Sequence, residues 1–243
     1  MKESSWRRDS ILKLIIRLKG GSGSGNYGHR GRSGKVGGSA SDTSVSHYGA
    51  SGYQPHAGPY ESVRRVTDLA KKSDFTSSAK RVPREEYAKL KSSGDYIEIQ
   101  RVQGSQFSDP FTGDYRLSDG AYGSGVYTSV VGAHAMVTGG GSKYTALIPS
   151  SEGKIINLSD LRKQEKKVEN TLRSEQSEIV RTYGDNSDKW SKSVFSRMNE
   201  IDSIFNGPLR DDGWFAVANG YQAIDIGSPS YYLILDRSVL ITS

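Results

Sequence analysis

"GSGVYTSVVG", residues 123–132, places two glycines ahead of a run rich in valine, tyrosine and threonine. β-Branched and aromatic side chains suit a pleated surface, and glycine frees the backbone for a turn, so the stretch reads as a strand entered from a glycine turn. Upstream, "DYIEIQRVQG" (95–104) reads as a second strand, with Ile97, Ile99 and Val102 inward. Downstream, "KYTALIPS" (143–150) and "KIINL" (154–158) are two more, separated by a turn around Ser151–Gly153. The C-terminal end is strand-rich again, with "YQAIDI" (221–226) and "YYLILDRSVLIT" (231–242).

Helices fill the remainder of the body. "YESVRRVTDLAKK" (60–72) and "PREEYAKLKSS" (83–93) are helical, the second opening on Pro83 with Glu85 and Glu86 in its first turn. A longer helix spans 159–183. Asn157-Leu-Ser-Asp caps it, and Leu161, Val168, Leu172 and Ile179 form its apolar stripe. "WSKSVFSRMNEIDSIF" (190–205) is another. Strands, a helical insert and closing strands indicate an α+β domain, because alternating βαβ units are missing from the pattern.

The 33 Lys/Arg and 27 Asp/Glu of the 243 residues give a net charge of +6. That charge is uneven. Residues 1–38 hold nine basic and two acidic residues, leaving the other 205 residues close to neutral. The body therefore lacks the electrostatic footprint of a nucleic-acid-binding domain, and the basic character is N-terminal. There is no cysteine, which excludes disulfides, thiolate metal sites and cysteine nucleophiles. The apolar run Ile11–Leu18 is broken by Lys13 and Arg17, so it is too short and too charged to span a bilayer. No small-residue cleavage site follows it, so a signal peptide is not indicated.

Three units follow from these shifts in composition. Residues 1–19 read as a basic amphipathic helix, with Ile11, Leu14 or Ile15, and Leu18 on one face. Docking on the protein itself or on a partner, and binding to a membrane surface, are both open to it. Residues 20–58 contain 12 glycines and read as a flexible linker. Gly23, Gly25 and Gly28 formally spell G-x-G-x-x-G, but no buried strand precedes them and no apolar helix follows, so the dinucleotide fingerprint fails. Residues 59–243 are the folded domain.

Three segments of that domain resemble the ADP-ribosyltransferase fold. "YIEIQRVQG" (96–104) is similar to the first core strand of the arginine-containing branch, whose Arg grips the NAD phosphates; Arg101 is the matching position. A guanidinium on a rigid strand can make bidentate contacts to a diphosphate. Val102 replaces the usual Gly, and Gly104 comes late. "DGAYGSGVYTS" (119–129) resembles the Gly-x-Gly-(Ile/Val)-Tyr-(Phe/Thr)-(Ser/Thr) segment that opens the second conserved strand. There Gly125 would allow close approach of the ligand, Tyr127 would stack on nicotinamide, and Thr128 or Ser129 would orient the ribose. "DDGWFAVANGYQAIDIGSPSYYLILDRSVLIT" (211–242) looks like the closing segment of phage-encoded and toxin-like transferases.

The resemblance implies a split β-sheet core with helices, NAD as substrate and no metal. It also implies that Arg101, Tyr127 and Thr128 converge on one cleft. The sequence departs from the pattern at one position that matters for chemistry. Active members carry a glutamate at or just before the last strand, which stabilises the cationic ribose as nicotinamide leaves. Tyr231 and Tyr232 stand there, and no Glu follows Glu200. Asp225 and Asp236 are the nearby carboxylates, with Asp225 the preferred catalytic candidate.

"GGSGSGNYGHRGRSGKVGGS" (20–39) is similar to a segment recurring in tailed-phage and prophage proteins, with Ser33 in place of the usual Pro. Together the resemblances imply a phage-encoded mono-ADP-ribosyltransferase in the virion or the host cytoplasm. Its acceptor would be a host protein or nucleic acid. Its basic N-terminus would meet capsid or portal proteins or packaged DNA. The alternative is a non-catalytic descendant of the fold, serving as a virion component or host-interaction module. A hydrolase or nuclease has no support, since His29, His47 and His56 lie in the Gly-rich segment, His134 is isolated and no metal-ligand spacing occurs.

Overall fold

The computed structural model describes residues 59–243 apart from 105, 119, 134–140, 152–153 and 228–229. The N-terminal helix (1–19), the linker (20–58) and His134 lie outside the described residues. The described residues form an α+β domain around one eight-stranded sheet, with order β1-β8-β4-β2-β3-β7-β6-β5. The strands are β1 (Lys80–Arg81), β2 (Tyr96–Gln103), β3 (Val126–Val130), β4 (Ser142–Pro149), β5 (Ile155–Asn157), β6 (Ala223–Gly227), β7 (Tyr231–Ile234) and β8 (Ile241–Thr242). Only β1–β8 and β5–β6 pair in parallel. The helices are α1 (Pro59–Lys72), α2 (Arg84–Ser92), α3 (Leu158–Tyr183), α4 (Lys192–Phe205) and α5 (Asp212–Ala218).

Strand alternation sends successive side chains to opposite faces of the sheet. One face, under the helices, carries Tyr127, Ile156, Ile224 and Leu233. These pack against Val66 and Ala70 of α1, Leu161 of α3 and Phe215 to Ala218 of α5. Farther along the same face, Leu147 of β4 packs with Val82 and with Tyr87 of α2. The opposite face carries Ile99, Val126, Ala146, Ile148, Ala223 and Ile234, and Phe111, Val239 and Leu240 close over it. Val102 is out of phase with Ile97 and Ile99: the β2–β4 ladder runs without a bulge from Tyr96 to Gln103, so Val102 faces the helix side while the two isoleucines face the loop side.

Helix α3 spans 26 residues, about 39 Å at 1.5 Å per residue, and outruns the sheet. Its cap is as expected, with the Asn157 side chain accepting from Ser159 N at 2.9 Å. Leu161 enters the main core, whereas Leu172 packs with Met198, Ile201 and Ile204 of α4 in a separate cluster. Arg197 staples this hairpin, donating to Glu175 at 2.6 and 2.7 Å and to Glu200 at 3.1 Å.

The stretch 231–242 is not one strand. Asp236 accepts from Ser238 N at 2.8 Å and caps a 3₁₀ turn, Arg237–Val239, after which β8 pairs with β4 on the far side of β2 and β3. Arg237 turns inward, 2 % exposed, and its guanidinium donates to the carbonyls of Gly113 (2.7 Å) and Thr76 (3.1 Å). Helix α5 also had no counterpart in the pattern of 211–220. Asp211 caps it, accepting from Trp214 N at 2.9 Å.

Candidate functional site on the central strands

The three resembling segments contribute β2, β3 and β7, which are consecutive neighbours at the centre of the sheet. Gln100 pairs with Ser129, and Ser129 with Tyr231; Thr128 pairs with Tyr232, and Tyr127 with Leu233. Residues more than 100 positions apart in sequence thus lie side by side.

The pleat divides them. Arg101 and Thr128 fall on the loop face, in phase with Ile99 and Val126. Tyr127 and Ser129 fall on the helix face, in phase with Leu233. The expected convergence of Arg101, Tyr127 and Thr128 on one cleft is therefore not what the fold builds, because adjacent strand residues cannot share a face.

Each of these side chains has structural partners. The Arg101 guanidinium donates to the Tyr127 carbonyl at 2.9 Å and to Gln103 Oε1 at 3.0 Å, and burial lowers its pKa below the ordinary value. Thr128 is fully buried and donates to the Tyr232 carbonyl at 3.1 Å. The Tyr127 hydroxyl donates to the Gly123 carbonyl at 2.7 Å and accepts from Tyr122 N at 3.0 Å, tying down the loop that leads into β3. At Gly125 a Cβ would stand 2.4 Å from the Leu233 side chain, so the missing side chain makes room for the neighbouring strand.

Ser129 differs from the others. It is 1 % exposed, and its hydroxyl has no hydrogen-bond partner. It belongs to a polar row across four strands on the helix face: Thr145, Gln100, Ser129 and Tyr231. Beside the row, Glu98 accepts from Tyr87 Oη at 3.2 Å and pairs with Lys91 at 2.7 Å. Burial, above all, pushes the Tyr87 phenol up to about 12. The alternation from Ile99 could have placed Gln100 in this row, but the partner strands are invisible in a single sequence.

Asp225 lies on the loop face, level with Tyr232, and Oδ1 accepts from Gly227 N at 2.9 Å. It is thus on the side of Arg101 and Thr128 and opposite Ser129. Of the two adjacent tyrosines that open β7, Tyr231 is the one beside Ser129, while Tyr232 is buried opposite Thr128. Asp236 accepts from Gln222 and Ser238 in the closing turn.

A second group of carboxyls joins α3 to α5. Asp211, 3 % exposed, accepts from Ser124 N at 2.9 Å and Ser124 Oγ at 2.8 Å, holding the Gly loop against α5. A Cβ on Gly213 would stand 2.1 Å from the Ser124 carbonyl, so glycine permits that approach. Asp212 pairs with Arg162 at 3.1 Å, and the Arg162 guanidinium lies 5.8 Å from the centre of the Tyr122 ring. Glu165 faces Asp212. Burial, then Asp212, pushes its pKa up to about 9, so it keeps its proton at neutral pH, and Oε1 has no partner.

Among the described residues no group of three or more His, Asp or Glu is placed to hold a metal ion. No described helix is long and apolar enough to cross a membrane. No family model, curated protein or solved structure matches the chain.

Proposed function

We propose that residues 59–243 are a non-catalytic, phage-derived relative of the ADP-ribosyltransferases that serves as a binding module. The cationic N-terminal segment would draw it to a polyanion such as packaged DNA. The observation that carries this reading is the polar row on β4, β2, β3 and β7, which ends in Tyr231 where the transferase needs a carboxylate. Glycosidic cleavage of NAD develops positive charge on the ribose, and a pre-placed anion is the main source of its stabilisation. Asp225 faces the other side and is engaged in its own turn. Two Arg101 donors are engaged within the fold, Nη1 by the Tyr127 carbonyl and Nε by Gln103.

The test is a nicotinamide-release assay on the full chain, with NAD binding followed in parallel by calorimetry. No release above the solvent background is expected. Enzymatic release, sensitive to Asp225→Asn, would overturn the reading in favour of a working transferase.

A further inference from the structure

We draw no further inference here: the strongest candidate, the surface patch where Arg65 of α1 stacks on Trp214 of α5 and Arg173 of α3 on Phe205 of α4, has Arg173 already paired with Glu169, and nothing in the structure shows what covers it.

Discussion

The two faces of the sheet are built on the same strands yet handle buried polarity in different ways. On the helix face, polar side chains meet one another: Asp211 with Ser124, Glu98 with Tyr87, and Glu165 with Asp212. On the loop face, one arginine, Arg237, gathers backbone carbonyls from two distant segments. Helices leave few backbone groups unpaired, so the face they cover is free to carry side-chain chemistry. Irregular chain has many unpaired carbonyls, and its cover must satisfy them. The helix face is therefore where a functional row can survive, and the loop face is committed to stability.

The largest effect expected is the loss of that commitment. Arg237→Ala removes the donors to Gly113 and Thr76 and the guanidinium that lies 5.2 Å from the centre of the Tyr115 ring. Buried carbonyls left without partners and the space vacated should cost about 4–5 kcal/mol in urea unfolding. Asp211→Ala on the helix face loses three hydrogen bonds to one carboxylate, among them the α5 cap, and should cost about 3 kcal/mol. Should Asp211→Ala be the more damaging, the assignment of stability to the loop face would fail.

Next in size is a pH effect confined to the helix face. The folded Glu165 pKa, about 9, lies far above the ordinary 4.5, so between these values the folded protein holds a proton that the unfolded chain releases. Stability from this group is full below pH 4.5 and declines as pH rises towards 9, at most about 1.4 kcal/mol per unit. Glu165→Gln lacks the titration. Its thermal melts should match the wild type near pH 5 and exceed it by about 1 kcal/mol or more at pH 8. Parallel pH curves for the two proteins would show that Glu165 ionises freely.

Much of this architecture was legible beforehand, and what was hidden has identifiable causes. Strands β2 to β6 announce themselves by alternating β-branched residues, and α3 by Asn157 and the stripe from Leu161 to Ile179. Helix α5 was missed because Gly213 sits in its first turn, and its helical state depends on Asp211 and the contact with Ser124. The break after Ile234 was missed because Asp236 and Arg237 read as polar positions of a strand; only the tertiary partners of Arg237 turn the chain. The candidate site was half legible. The three segments were placed on strands that do prove to be neighbours, but which side chain faces which cover depends on register, and register is a long-range property.

The smallest effects compare one residue from each face. Tyr127→Phe removes a hydroxyl bonded to both Gly123 and Tyr122, and a buried donor and acceptor pair should cost about 1–2 kcal/mol in unfolding. Asp225→Asn keeps the side-chain oxygen that accepts from Gly227 N, so it should cost about 0.5 kcal/mol or less. It should also leave NAD titrations unchanged, since Asp225 faces away from the Ser129 row. The change has one distinct signature. Burial first, and the Asp225 charge second, raise the Tyr232 phenol above its ordinary pKa. Removing that charge lowers the Tyr232 midpoint in a spectrophotometric titration while burial still holds it high. A Tyr232 midpoint unmoved by Asp225→Asn would mean that the carboxylate points elsewhere. The placement of Asp225 opposite Ser129, on which the non-catalytic reading leans, would then have to be abandoned.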